Sequence, residues 1–302
     1  MIDAASSYAI GELPRVRSHP HAALVAMRPR QWVKNLLLFA GLIFAAKIGD
    51  FTRSFEAVAA FVAYCSASSA AYLVNDLRDA EADRGHPTKR FRPIARGELR
   101  VEAAVTLVVL LAALALGIAA ILGPVSLAML LAFASIQVGY SFGLKHIPLL
   151  DVLMISSLFV VRAVAGAAAV HVTISAWLLV CTGVLALFLA LGKRRAELVL
   201  VGARLTAGRR SIRGYTVALV DQLIAAAAGA AVVSYAAYTV EGHHSRALVV
   251  TTPLVVFGIF RYVFLLQRQG MGEEPEKVLV GDRPILATVV LWAIVCAIIL
   301  TY

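Results

Sequence analysis

Asn75-Asp76-Leu77-Arg78-Asp79-Ala80-Glu81-Ala82-Asp83 closes an apolar run from Phe55 to Val74 and leads into a basic segment from His86 to Arg96. An apolar run long enough to cross a bilayer, ending in acids, predicts a membrane helix that delivers a charged end to an interface. At roughly 100° per residue, Asn75, Asp76, Asp79 and Asp83 fall within an arc of about 100°, whereas Arg78 and Glu81 point elsewhere. Carboxylates crowded on one face repel one another and disturb each other's ionisation. A hard divalent cation removes that conflict, because Mg²⁺ takes oxygen ligands and is held by one or two carboxylates together with substrate phosphates. The spacing therefore predicts a metal–phosphate site at Asn75, Asp76, Asp79 and Asp83. The bland alternative is a solvated acidic helix end neutralised by neighbouring Arg and Lys.

The rest of the chain sets the class. Of 302 residues 61% are hydrophobic and 15% charged, with a mean hydropathy of +0.84, which excludes a soluble globular domain. The reading is an all-α membrane protein with nine transmembrane helices, at about 23–46, 54–75, 101–122, 125–142, 150–170, 173–192, 218–240, 247–266 and 284–302. One integral-membrane domain covers residues 1–302, without internal repeat, low-complexity tract or soluble second domain. Residues 1–20 contain Pro14, Arg15, Arg17, His19 and Pro20 and no sustained apolar core, so they read as a short flexible lead and not as a cleavable signal. Cys65, Cys181 and Cys296 stand singly inside apolar runs, without metal spacing, and read as packing residues.

Basic residues give the orientation. The N-terminal flank, residues 75–100, 143–149, 193–217 and 261–283 together hold 24 of the 28 Lys and Arg. By the positive-inside rule the N-terminus is cytoplasmic and the C-terminus outside, in the inner membrane of the cell, with the polar groups on the cytoplasmic side. A net charge of +10 suits anionic lipid headgroups and phosphate-bearing substrates, and no nucleic-acid partner is expected.

Four further segments could meet at that mouth. Arg28-Pro29-Arg30-Gln31-Trp32-Val33-Lys34-Asn35 opens the first span, with Arg28, Gln31 and Asn35 on one helical stripe and Lys34 and Asn35 placed to reach a phosphate. An interfacial anchor of Trp, Arg and Lys is the other reading. Lys89, Arg90, Arg92 and Arg96 follow the acidic helix, stiffened by Pro93, and are either phosphate clamps or a topogenic loop. Lys145, in Tyr140-Ser141-Phe142-Gly143-Leu144-Lys145, is a further phosphate candidate. Asp151 and Arg162 share a face of the fifth span, with Arg162 ~16 Å deeper; so deep a charge is substrate-facing or structurally paired. Finally, Gly192-Lys193-Arg194-Arg195-Ala196-Glu197 ends the sixth span, where Lys193 and Glu197 can form an ordinary i,i+4 pair.

With Asn75, Asp76, Asp79 and Asp83 following a second span, the sequence resembles the UbiA superfamily of intramembrane prenyltransferases. Within it the likeness is to the subgroup that transfers phosphoribose to decaprenyl-like polyprenyl phosphates. It is carried by Arg28, Gln31, Trp32, Lys34 and Asn35, by the block Asn75 to Gly97, by Tyr140, Phe142, Gly143, Leu144 and Lys145, by Arg162 and Gly166, and by Gly192 to Leu198. Superfamily members that use prenyl diphosphates generally carry a second Asp-x-x-x-Asp site after the sixth span. Here one acid, Glu197, stands among three cations, Lys193, Arg194 and Arg195.

The resemblance implies Mg²⁺-dependent transfer of 5-phosphoribose from phosphoribosyl diphosphate to a polyprenyl phosphate at a bilayer surface, in a chain compatible with homo-oligomers. It implies Asp76, Asp79 and Asp83 with Asn75 as metal ligands. It further implies Arg28, Lys34, Asn35, Lys89, Arg90, Arg92, Tyr140, Lys145, Arg162, Lys193, Arg194 and Glu197 around the substrates. A prenyltransferase using a prenyl diphosphate and an aromatic acceptor is the competing enzyme. A transporter would instead want interrupted half-helices near the midplane.

Overall fold

The computed structural model describes residues 18–45, 47, 49–86, 88–204, 214–241, 246–269, 278 and 281–301. The expected N-terminal lead up to Arg17 and the basic stretch 205–213 lie outside these residues. Among the described residues every regular element is helical: α1 His19–Met27, a 3₁₀ helix Pro29–Phe39, α2 Ala40–Phe44, α3 Phe51–Arg78, α4 Ala80–Arg84, α5 Val101–Ile121, α6 Pro124–Phe142, α7 Leu150–Ala169, α8 Ala176–Arg204, α9 Val217–Glu241, α10 Thr252–Gln269 and α11 Arg283–Thr301. Helices satisfy their own backbone groups, which hydrocarbon requires.

Among the described residues seven helices are long and apolar enough to cross a membrane, not nine. The expected first span is broken: Arg28 takes a left-handed conformation (φ 55°) that ends α1, Pro29 follows, and the chain continues as an eleven-residue 3₁₀ helix. The expected last span, 284–302, is the apolar helix α11, whose apolar stretch Arg283–Ile299 is shorter than the seven. Hydropathy alone does not separate the broken first segment from a continuous span, because a kinked apolar segment scores like a straight one.

The 3₁₀ conformation also redraws the stripe expected on the first span. Side chains three apart eclipse in a 3₁₀ helix, so Trp32, Asn35 and Leu38 share an edge, and the α-helical grouping of Arg28, Gln31 and Asn35 does not form.

The chain parts into two compact units, Met1–Val33 with Ser66–Ala113 and Lys34–Cys65 with Leu114–Tyr302. In the first, Ala22 and Ala26 of α1 share a core with Ala70 and Leu73 of α3, Ile94 and Leu99 beyond α4, and Ala104 and Leu111 of α5. Trp32 Nε1 donates to Ser69 Oγ (3.0 Å), which donates to the Met27 carbonyl (2.9 Å), tying the start of the 3₁₀ helix to α3.

In the second unit α6 to α11 each pack against the next, and α2 lies against α7. Phe188 and Leu191 of α8, Val220 and Ile224 of α9, and Ile259 and Tyr262 of α10 form the main core. Small residues allow the close approach of α7: a Cβ on Gly166 would lie 2.0 Å from the Leu38 carbonyl oxygen, and one on Gly41 2.7 Å from Ala167 Cα. Between helices in lipid, such packing takes the place of the hydrophobic effect.

Candidate active site

The acidic end of α3 lies in the first unit. Its helix is interrupted at Asp79 (φ −92°, ψ 3°), after which α4 begins. Backbone bonds from Asp79 N–H to the Asn75 carbonyl (3.0 Å) and from Asp83 N–H to the Asp79 carbonyl (2.8 Å) carry the chain through the break. Asp76 and Asp83 stay on the inner face and are 2% and 3% exposed. Asp79 is half-buried and takes a bond from Arg78 Nε at 3.1 Å, so Arg78 does not point away from the acids as its helical spacing predicts.

Two guanidinium groups gather the buried pair. Arg92 Nη1 lies 2.6 Å from Asp83 Oδ2 and 3.1 Å from Asp76 Oδ1, and Arg28 Nη2 donates to the same Asp76 oxygen at 2.6 Å. Arg28 also stacks 4.7 Å above the Tyr72 ring. Buried carboxylates are tolerated when paired and hydrogen-bonded in this way. Arg28, Asp76, Thr88, Lys89, Phe91 and Arg92 line a cavity of about 330 Å³, within the range of small-molecule sites. A larger hollow of about 800 Å³ runs along α10, but its lining is mainly apolar and its charged residue, Arg261, is paired with Asp282 at 3.0 Å. The smaller, charged cavity is the candidate.

His86 shapes the loop that supplies Thr88 and Lys89. Its Nδ1 accepts the backbone N–H groups of Thr88 and Lys89, both at 3.3 Å. Burial, and then the Lys89 charge, push the imidazole below its ordinary range, which favours the neutral form that such an acceptor requires. The sequence assigns His86 no role; the Pro87-Thr88 pair after it is the available signal. Lys89 itself makes no side-chain hydrogen bond or ion pair among the described residues, while Arg90 is exposed and stacks on Phe91 (4.9 Å).

Among the described residues no three His, Cys, Asp or Glu side chains form a ready-made metal cage. Asp76 and Asp83 nevertheless offer two oxygen-donor groups that converge on one point, now the Arg92 guanidinium. Two carboxylates completed by phosphate and water are the usual surroundings of Mg²⁺, so the residues fit that ion in company with a phosphorylated ligand.

The second unit holds two further polar clusters. Arg162 Nε donates to Asn35 Oδ1 at 2.7 Å and its Nη1 to the Leu158 carbonyl at 2.9 Å, with Phe133 (4.7 Å) and Phe159 (5.5 Å) against the guanidinium. Asn35 in turn donates to Cys65 Sγ at 3.3 Å. Two predicted site residues are thus brought together, 127 positions apart, in a buried structural pairing.

The other cluster corrects one expectation. Asp151 Oδ2 takes Arg194 Nε at 2.7 Å and its Oδ1 the Tyr215 hydroxyl at 2.8 Å. Glu197 pairs with Arg194 Nη1 instead of Lys193. Arg194 is 1% exposed and held between the two acids. Arg195 likewise pairs with Asp221 at 2.5 Å. Lys193 is half-buried and makes no ion pair among the described residues. Lys34, Tyr140 and Lys145 are half-buried, each with an interaction partner. Asp151 and Tyr215, 64 positions apart, carried no periodic signal that would have joined them.

The sequence profile of the UbiA prenyltransferase family matches residues 36–279. The chain is 37% identical over 290 residues to the decaprenyl-phosphate phosphoribosyltransferase of Corynebacterium glutamicum, covering 92% of this chain and 86% of that protein. It is 36% identical over 288 residues to the Mycobacterium tuberculosis enzyme of the same name, with coverage of 92% and 95%. In fold it is similar to a UbiA homolog from Archaeoglobus fulgidus solved with GPP and Mg²⁺. That match has a TM-score of 0.72 at 18% identity and covers 93% of this chain and all of the other.

Proposed function

The chain belongs to the UbiA prenyltransferase family, and from that premise we propose that it transfers 5-phosphoribose from phosphoribosyl diphosphate to a decaprenyl-like polyprenyl phosphate. It is a transferase and an integral membrane protein of the all-α UbiA fold. Its active mouth is assigned to the cytoplasmic face of the inner membrane, on the strength of the 24 Lys and Arg that fall in alternate connections. The observation that carries the reading is the meeting of buried Asp76 and Asp83 with Arg28 and Arg92 beside the Lys89-lined cavity.

In the reaction the bond from ribose C1 to the diphosphate oxygen breaks with its electron pair, and an oxygen of the lipid phosphate forms the new bond to C1. Asp76 and Asp83, with Asn75 and Asp79 beside them, are the groups assigned to hold Mg²⁺. When bound, that ion neutralises charge building on the departing diphosphate. Arg28, Lys89 and Arg92 hold phosphate oxygens through charge-assisted hydrogen bonds. The nucleophile is already anionic near neutral pH, so the mechanism needs no general base among these residues.

The direct test is mass spectrometry of lipid products after incubating purified protein with Mg²⁺, phosphoribosyl diphosphate and a panel of polyprenyl phosphates. A product heavier than its acceptor by one phosphoribosyl group is expected. Consumption of a prenyl diphosphate with phosphoribosyl diphosphate left intact overturns the assignment in favour of prenyl transfer.

Lys193 is assigned to the anionic substrates because it stands in the Gly192 to Leu198 segment that carries the likeness to the phosphoribosyl-transferring subgroup. Lys193→Glu is expected to raise KM for one of them by about tenfold or more, the value of a charge-assisted contact. Arg268→Glu, where the native guanidinium lies on the Phe264 ring (5.1 Å), should change KM by less than about twofold. Equal effects in steady-state kinetics would reduce Lys193 to a topogenic charge.

A further inference from the structure

We propose that Tyr215 is a positioning residue, a clip that holds the turn before α7 and, through Asp151 and Arg194, sets the part of α8 that presents Lys193. The proposal rests on the reading of Lys193 as a substrate contact. It stands on a chain of contacts that the transfer chemistry does not use.

Leu149 has φ 67°, a left-handed backbone that a residue with a side chain adopts only when its surroundings hold it there. What holds it is the Tyr215 hydroxyl, which accepts the Leu149 N–H at 2.6 Å. Gly214 packs on the same turn: a Cβ there would lie 2.5 Å from Pro148 Cγ, so the segment entering α9 leaves no room for a side chain.

The same hydroxyl passes its own proton into a bond with Asp151 Oδ1 at 2.8 Å. Asp151 is fully buried, and its second oxygen takes Arg194 Nε at 2.7 Å, while Arg194 reaches on to Glu197. Burial raises the Tyr215 phenol to about 12, so it remains a donor across the physiological range.

This network fixes the rotation of α8. With Arg194 drawn inward, its neighbour Lys193 is turned about 100° away, toward the half-exposed side. Tyr215 bonds Leu149 and Asp151 at the start of α7 and, through Asp151, reaches Arg194 on α8; none of these contacts the reacting atoms in the proposed mechanism. A residue so connected acts on the reaction through Lys193.

A double-mutant cycle tests this in the full-length protein. Tyr215→Phe keeps the ring and removes the hydroxyl. It is expected to raise KM for phosphoribosyl diphosphate or for polyprenyl phosphate about fivefold, with kcat within about twofold. Lys193→Ala should raise the same KM about tenfold, and the double variant should match Lys193→Ala to within about twofold. A double variant whose KM is the product of the two single effects shows independent actions and overturns the proposal, as does a fall in kcat with KM unchanged. If Tyr215→Phe does not accumulate, the cycle is run in a Leu149→Gly background, where glycine takes the positive φ without strain. Wild-type protein that does not turn over phosphoribosyl diphosphate fails the functional reading itself. Wild-type turnover with multiplicative variants fails only the clip.

Discussion

Asp76→Asn is expected to lower turnover by about a thousandfold, in line with the loss of a charged group aimed at developing charge in a buried site, while leaving the protein in the membrane. Asp76 Oδ1 accepts from Arg28 (2.6 Å) and lies 3.1 Å from Arg92. The amide keeps the shape and loses the charge that the assigned cation requires. The fold should survive, because Arg92 retains Asp83 at 2.6 Å and both arginines are partly exposed, at 29% for Arg28 and 26% for Arg92, so water can compensate them. Asp79→Asn should cost much less, since Asp79 is 38% exposed and already bonded to Arg78. The measurements are product formation by mass spectrometry and Mg²⁺-dependent binding of phosphoribosyl diphosphate, made on variants extracted at wild-type yield. Normal turnover in Asp76→Asn would remove Asp76 from the metal site and with it the core of the proposed mechanism.

The contrast between Asp76 and Asp79 also marks how far helical spacing could be read. Counting 100° per residue placed both acids on one face, and that holds for Asp76 and Asp83, which the fold buries together. It fails at Asp79 because the helix breaks there, and Asp at a helix start competes for local backbone bonds. Likewise, acid-then-base order pointed to Arg92 as a clamp, but only the fold reveals that it meets Asp83, nine residues earlier.

Elsewhere the sequence offers no means of choosing between neighbours. Lys193 and Arg194 read as two equivalent cations; burial of Asp151 against α8 takes Arg194 and leaves Lys193. The apolar run at 23–46 reads as one span, since hydropathy does not distinguish an α-helix from the 3₁₀ conformation that carries Asn35 to Arg162. Glycines were legible only as letters in a motif, because what they touch depends on chain crossings far apart in sequence.

Gly166 shows what such a crossing demands, and Gly166→Val is expected to prevent the protein from accumulating as a folded species. A Cβ at this position would lie 2.0 Å from the Leu38 oxygen, 2.6 Å from its carbonyl carbon and 2.7 Å from its Cα. All three are backbone atoms, so no side chain can swing aside and the two chain segments must separate. Separation would also strain the Arg162–Asn35 bond (2.7 Å), which joins the same segments three residues before Leu38 and four before Gly166. Overpacking costs about 1–3 kcal/mol or more, and a weakened bond to a buried charged group about 1.5–3 kcal/mol. Either is a large fraction of a net stability of about 5–15 kcal/mol. Gly166→Ala should act in the same direction more weakly. Gly229, inside α9 with nothing within 4 Å of its would-be Cβ, is the control: Gly229→Ala should leave the melting temperature unchanged or raise it, since alanine is the better helix former by about 1 kcal/mol. Melting curves of detergent-purified variants decide the matter. A Gly166→Val protein as stable as wild type would mean that α7 and the 3₁₀ helix do not cross in contact, and the pairing of Asn35 with Arg162 would go with it.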